Sequence, residues 1–343
     1  MSSDLEREIR EQPAAVAAAL ERNAAVAAQV ADGLRARGPL EQVVIAARGT
    51  SDNAARYAQY LFGARLGVPV ALAAPSLTTM YDAPAVPRGA GALVVAISQS
   101  GRSPDVVGVL ASARAAGAPT LAVTNDPESP LAQAADWVLD LGVGVERSVA
   151  ATKTYTASLA VVAALVAAIG DDAEARRALD EVPALLERTV DGAFAAVGAL
   201  DGLREAPHVV TVGRGFNFAT ALEVALKLRE LTAIVAEGFS PPDLLHGPIA
   251  AVAAGTPAIV VAPAGRVRAS VLEAAEVLRA RGARCVLLAD DPGADLPLPT
   301  GAPEWLTPLF AVVPGQVLAL RWTALGGGPI DRPPGLTKVT ETL

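Results

Sequence analysis

Cysteine is almost missing from this chain. Cys285 is the one thiol in 343 residues and lies in the apolar run Cys285-Val286-Leu287-Leu288, which excludes a disulfide framework and a loop-borne thiol nucleophile. Aromatic residues make up 4% of a composition that is 52% hydrophobic and rich in alanine, the balance of an α/β protein packing small residues between helices and sheets. Basic residues are outnumbered: 28 Lys and Arg against 36 Asp and Glu leave a net charge of −8 and no basic stripe, so no nucleic-acid partner is expected. One phosphate held locally stays possible. Long apolar runs are absent as well. The longest, Ala157 to Ile169, is interrupted by Ser158 and too short to span a bilayer, so it predicts a buried helix and no membrane partner. The N-terminus (Ser2, Ser3, Asp4, Leu5, Glu6, Arg7, Glu8) is charged where a signal peptide needs an apolar core, and the expected location is the cytoplasm.

What is present is organised around Leu93 to Ser103. Five apolar residues end in a Ser/Gly cluster, and Val106, Val107, Val109, Leu110 and Ala113 then follow at helical spacing. A buried parallel strand hands over to a helix there. The free N–H groups at the helix start form an anion site, to which Ser98, Ser100 and Ser103 add donors without adding charge. The competing reading is that these serines only cap the helix.

The length suggests two domains of ordinary size. Residues 4 to 36 read as helical with an interruption at Pro13, an arm or cover outside the core. Val43 to Ala46 is a strand that ends in Ala47-Arg48-Gly49-Thr50-Ser51 and enters a helix, a second strand–hydroxyl turn–helix unit. Val68 to Leu72 and Leu121 to Asp126 complete a doubly wound first half, and His208 to Val212 opens a second set of strands. Landmarks recur at nearly one offset. Arg48-Gly49 stands 166 residues before Arg214-Gly215, and the glycines of Arg-Ala-Ala-Gly-Ala and Arg-Ala-Arg-Gly-Ala, Gly117 and Gly282, are 165 apart, as are Asp126-Pro127 and Asp291-Pro292. The chain is therefore an internal duplication. Only the first copy keeps the hydroxyl turn: opposite Ser98-Gln99-Ser100-Gly101 the second has Pro263-Ala264-Gly265. A purely structural repeat has no reason for that asymmetry, which favours a phosphate site in the first copy.

Glu223, Lys227 and Glu230 recur at i, i+4, i+7 in an otherwise apolar helical stretch. The stripe is either a solvated face with helix-stabilising ion pairs or a carboxylate base beside an ammonium. His246, in Leu244-Leu245-His246-Gly247-Pro248, is a loop residue suited to acid/base work, whereas His208 at a strand mouth reads as structural. Lys338 lies in a tail with no helical period, where disorder is the ordinary expectation.

At these residues the chain resembles the sugar isomerase (SIS) domain family, and within it the isomerase half of glutamine:fructose-6-phosphate amidotransferase. The matching motifs run in order from Glu11-Gln12-Pro13 through Gly49-Thr50-Ser51, Ser98-Gln99-Ser100-Gly101, Val149-Ala150-Ala151-Thr152-Lys153, Ala221-Leu222-Glu223 to Glu230, Ala236-Glu237 and His246-Gly247-Pro248 to the tail around Lys338. The resemblance implies two tandem flavodoxin-like SIS subdomains with parallel sheets: an arm over 1–36, subdomain 1 over 37–170, a helical linker over 171–205, subdomain 2 over 206–330 and an active-site tail over 331–343. It implies a homodimer, a hexose or hexosamine 6-phosphate ligand, and no metal or organic cofactor. By position, Thr50, Ser51, Ser98, Gln99, Ser100 and Ser103 match phosphate and sugar contacts, with Val149 and Ala151 near the sugar. Glu230 matches the carboxylate that moves a proton between C1 and C2. His246 matches the ring-opening histidine contributed by the partner subunit, Lys227 an active-site lysine, and Lys338 the tail lysine that forms an imine with the open-chain ketose.

Departures from the family pattern flank the sugar site. Ala151 replaces a usual Ser, Arg102-Ser103 a frequent Glu-Thr, and Pro241-Pro242-Asp243 departs from a Gly-Glu pair. Ser2 follows Met1 where the large amidotransferase has its glutaminase cysteine, so glutamine is not expected as the nitrogen donor. The implied activity is a stand-alone glucosamine-6-phosphate deaminase. A deglycase or isomerase for another hexosamine or fructosamine 6-phosphate, and a non-catalytic sugar-phosphate sensor, are the alternatives.

Overall fold

Runs such as Leu93-Val94-Val95-Ala96-Ile97 are apolar on both faces, and such strands are stable where helices cover both sides of a parallel sheet. The computed structural model, which describes residues 2–87 and 91–338, contains that arrangement twice. The first sheet holds β1 (Gln42–Ala47), β2 (Val70–Leu72), β3 (Ala92–Ile97), β4 (Thr120–Thr124) and β5 (Trp137–Asp140) in the order β2-β1-β3-β4-β5, all parallel. The second holds β6 (His208–Val212), β7 (Val235–Phe239), β8 (Pro257–Val261), β9 (Arg284–Ala289) and β10 (Leu296–Pro297) in the order β7-β6-β8-β9-β10, again all parallel. Strand for strand the two orders are the same flavodoxin-like order, the structural form of the duplication.

In the first half the helices are α1 (Asp4–Arg37), α2 (Thr50–Leu66), α3 (Pro75–Met80), α4 (Pro104–Ala115), α5 (Pro130–Gln133) and α6 (Lys153–Ile169). Then come α7 (Ala173–Asp180), α8 (Val182–Ala196), α9 (Phe218–Thr232), α10 (Pro241–Leu245), α11 (Arg268–Ala280) and α12 (Thr307–Leu325). Val94 and Ala96 of β3 pack with Val106, Val109 and Leu110 of α4, and Val210 and Val260 pack with Val271 and Leu278 of α11.

Two compact units result, each built on one sheet, and they do not follow blocks of sequence. The unit of the first sheet takes Ala14–Glu146, Lys153–Val182 and the tail from Thr337. The unit of the second takes the residues up to Pro13, Arg147–Thr152 and Pro183–Leu336. Val149 and Ala151 thus belong with the second sheet and Lys338 with the first. Residues 339–343 of the expected tail lie outside the described residues.

Of the arm or cover expected over 4–36, α1 is the cover: Leu5, Ile9, Val16 and Val30 are fully buried along one helical face. One sequence expectation needs correction, since Pro13 does not interrupt the helix. Proline cannot donate to the carbonyl four residues back, but the Gln12 side-chain amide does so at 3.1 Å from Ile9 O, while also donating to Gln316 Oε1 at 2.8 Å. Glu304–Leu325, which includes Glu304, Gln316 and Arg321, is, among the described residues, the one helical stretch long and apolar enough on average to cross a membrane, and 83% of its 18-residue apolar window is buried inside the protein.

Candidate active site

In the unit of the first sheet, β1 and β3 are neighbours, and each ends in a hydroxyl-bearing turn that starts a helix. Thr50 and Ser51 form the first turn of α2, and Ser98, Gln99 and Ser100 lead to Ser103, the residue that caps α4. Ser103 makes no side-chain capping bond, so the plain capping explanation fails where it was most natural. Ser98 Oγ accepts from Gly101 N at 3.2 Å and Ser100 Oγ from Arg102 N at 3.3 Å. Each hydroxyl shapes its own loop by accepting through its oxygen. Gly101 is required at its position: its φ is 61°, and a Cβ would lie 2.1 Å from Ser129 Oγ.

The two turns are tied by an ion pair that the sequence did not advertise. Arg48 Nε sits 2.7 Å from Asp105 Oδ2; Asp105 is buried in the first turn of α4 while Arg48 is half exposed. Burial pushes the Asp52 carboxyl upward, opposed by the Arg56 and Arg48 guanidinium groups.

Beside the β3 turn lies a cavity of about 490 Å³ whose walls include Gln99, Ser100, Asn125, Glu146 and Lys338. Three of the expected residues are thereby brought to one place, and Lys338 is anchored there. Its Nζ lies 2.8 Å from Glu146 Oε2, a carboxylate with no exposed surface. Asn125 and Glu146 were missed in the sequence. Asn125 donates to Gly144 O at 2.8 Å and accepts from Val143 N at 3.1 Å, shaping the loop that carries Glu146. Its signal was its place at the carboxyl end of β4, where open α/β sheets bind ligands.

In the unit of the second sheet, α9 carries the charged stripe, and a solvated face is ruled out for two of its three members. Glu223 and Lys227 are fully buried, and Lys227 Nζ is 3.4 Å from Glu223 Oε1 and hydrogen-bonded to the partly exposed Glu230. Placing charges in a low-dielectric core is costly unless they are paired, so this triad is not explained by helix propensity. Close packing holds the helix. A Cβ on Gly315 of α12 would come within 2.3 Å of Val224, and Thr323 Oγ1 donates to Leu231 O at 3.0 Å.

His246 ends α10 and is exposed, with Nδ1 2.7 Å from Pro242 O. A carbonyl only accepts, so Nδ1 carries the proton and Nε2 is the nitrogen available for exchange. His208, read as structural, pairs through Nε2 with Glu237 at 3.1 Å. Val149 and Ala151 lie on a short segment held from two sides: Val149 N donates to Asp331 O at 3.0 Å, and Ser148 N to the buried Glu8 carboxylate at 3.2 Å. Asp331 also accepts from the N–H groups of Asp4 and Leu5 at the start of α1.

A family model described as the SIS domain matches residues 40–168 and 202–299, one stretch on each sheet. The chain belongs to the SIS family. The isomerizing glutamine–fructose-6-phosphate aminotransferase of Zymomonas mobilis is 33% identical over 355 aligned positions, covering 97% of this chain and 58% of that protein. The chain thus spans little more than half the length of such relatives. Among solved structures, a candidate phosphosugar isomerase from Silicibacter pomeroyi superposes with a TM-score of 0.84 at 34% identity, covering 96% of this chain and 99% of the other. The C-terminal domain of glucosamine-fructose-6-phosphate aminotransferase from Francisella tularensis gives 0.83 at 26% identity, with 97% and 99% covered. The two five-stranded sheets are therefore tandem SIS subdomains.

Proposed function

We propose that this SIS protein isomerises and deaminates an amino-sugar phosphate, converting glucosamine 6-phosphate and water to fructose 6-phosphate and ammonia. The observation that supports the reading is the cluster on α9 in which the buried Glu223 and Lys227 meet the partly exposed Glu230, an arrangement that a sugar-binding scaffold without turnover has no use for. The names and structures of the relatives supply the sugar-phosphate class. In this reading the hydroxyls of Thr50, Ser51, Ser98, Ser100 and Ser103, with Gln99, take the phosphoryl group, and the backbone near Val149 and Ala151 meets the sugar. His246, through Nε2, opens the ring and exposes the C1 aldehyde. Glu230 takes the C2 proton and returns it at C1, held in place by Lys227. The resulting C2 imine exchanges its ammonia for Lys338, and hydrolysis of that second imine frees the ketose. His246 comes from the partner subunit of a homodimer, and the reaction takes place in the cytoplasm.

A panel of amino-sugar phosphates assayed for ammonia release tests the substrate. Glu230→Gln is expected to lower turnover of glucosamine 6-phosphate by about a hundredfold or more, the usual weight of a positioned acid/base group, with binding unchanged. Binding of sugar phosphates with no ammonia released from any of them overturns the deamination, and absence of isomerisation as well leaves a sensor.

A further inference from the structure

The tail lysine of the proposed imine chemistry is held by a residue to which no role has been given. Glu146 has no exposed side-chain surface, and the donors to its oxygens include Thr154 N at 3.1 Å, Thr154 Oγ1 at 2.7 Å and Lys338 Nζ at 2.8 Å. Thr154 lies in the first turn of α6, so the carboxylate sits at the positive end of a helix 17 residues long. The preceding residue is fixed as well, since Lys153 Nζ donates to Val145 O at 3.0 Å. A rigid strut thus runs from α6 through Glu146 to Nζ, at the wall of the cavity shared with Gln99 and Ser100.

A surface ion pair needs none of this. A buried carboxylate is costly, and when pre-oriented by two bonds from a helix start it fixes the third donor in direction and distance. We propose that Glu146 is the positioning residue of Lys338 and the acceptor of the proton its ammonium must lose before the nitrogen attacks a ketose carbonyl. The proposal rests on Lys338 acting through an imine. One ammonium proton passes to Glu146, the nitrogen adds to C2, and the carbonyl π bond opens to a carbinolamine. The carbinolamine hydroxyl leaves as water with the proton returned from Glu146, and a carbon–nitrogen double bond that keeps one nitrogen proton remains. Ammonium plus ketone gives protonated imine plus water, and Glu146 ends as the carboxylate it began. The same carboxylate serves the reverse step, in which water releases the ketose.

The test is reductive trapping. The full chain is incubated with fructose 6-phosphate and cyanoborohydride, and the rate of adduct formation at Lys338 is followed by peptide mass. Glu146→Gln is expected to trap about a hundredfold more slowly than the unaltered protein while binding fructose 6-phosphate with the same affinity, a split that a merely structural role does not produce. Glu146→Asp, which keeps the carboxylate one methylene further back, is expected to fall between the two, and it serves as the reading if the glutamine variant does not fold. Equal trapping rates in the unaltered protein and in the variant that folds overturn the role of Glu146 and leave the imine standing. No adduct at Lys338 in the unaltered protein overturns the imine, and the role of Glu146 with it.

Discussion

The two SIS subdomains share a strand order and differ in the residues at their turns. The β3 turn of the first is Ser-Gln-Ser-Gly beside a cavity of about 490 Å³, whereas the corresponding β8 turn is Pro-Ala-Gly with a cavity of about 10 Å³, room for no more than a water. Two donors of the second turn are already paired with carboxylates. Ala264 N donates to the Asp290 carboxylate at 2.9 Å, Arg268 pairs with Asp290 at 3.2 Å and also with Asp291, and the Glu304 side chain packs against Gly265. In the second copy, carboxylates of the chain itself, Asp290 and Glu304, pack against that turn.

The helices show the opposite bias. The 166-residue offset that takes Arg48 to Arg214 takes Tyr57 to Glu223, Leu61 to Lys227 and Ala64 to Glu230. In α2 the first two are a fully buried uncharged pair, Tyr57 and Leu61, and burial holds the Tyr57 hydroxyl far above its ordinary titration range. In α9 the same two positions are a fully buried carboxylate and ammonium. One fold tolerates both. The version in α2 shows that the charges of the other are not needed to build the helix.

The largest expected effect tests that contrast. Lys227→Leu alone strands the Glu223 carboxylate in the core and is expected to cost about 3–5 kcal/mol of unfolding free energy, read by denaturant titration. Adding Glu223→Leu, which leaves these two positions of α9 uncharged as in α2, is expected to restore most of that stability with no return of activity. A double variant as unstable as the single one breaks the comparison.

Next comes the hydroxyl turn. Ser98→Ala is expected to weaken fructose 6-phosphate binding by about 1.5–3 kcal/mol, the weight of a hydrogen bond to a charged group, measured by calorimetry. Ala264→Ser in the second turn is expected to add no second site, because Asp290 and Glu304 already occupy it. A smaller effect follows from Gly101→Ala, which forces a methyl group onto Ser129 and is expected to cost about 1–3 kcal/mol in stability, with weaker sugar-phosphate binding as the loop shifts.

The smallest lies outside both turns and serves as a control. Asp172 caps α7, accepting from Ala175 N at 2.8 Å, and that bond chiefly, with the Arg65 guanidinium, holds its carboxyl below the ordinary value of 3.8. Asp172→Ala is expected to cost about 1 kcal/mol above pH ~4 and to leave the sugar site untouched. A carboxyl depressed by folding stabilises the protein above its unfolded value and loses that contribution as the pH falls through its folded value. The difference from the unaltered protein, followed by thermal melting, is therefore expected to shrink on acidification below pH ~4.

Much of the fold was legible because its signals are local. Five-residue apolar runs, the Ser/Gly turn and matched landmarks at one offset sufficed to place the β3 turn at a helix start and to predict two similar sheets. The course of α1 was not legible, since Pro13 breaks a helix unless a distant Gln316 and a neighbouring Gln12 supply what its missing N–H removes. The charged stripe was half legible. Spacing put Glu223, Lys227 and Glu230 on one face, but spacing is the same for a wet face and a buried one.

By itself the sequence determined the doubled parallel architecture and the residue types available for chemistry, because strand, turn and helix preferences act over a few residues and repeat with the duplication. Only the tertiary structure decided which charges are buried, that Lys338 meets Glu146 across 192 positions of chain, and that the short segment bearing Val149 and Ala151 folds with the second sheet. Burial and long-range pairing depend on what packs opposite a residue, and no local pattern carries that information.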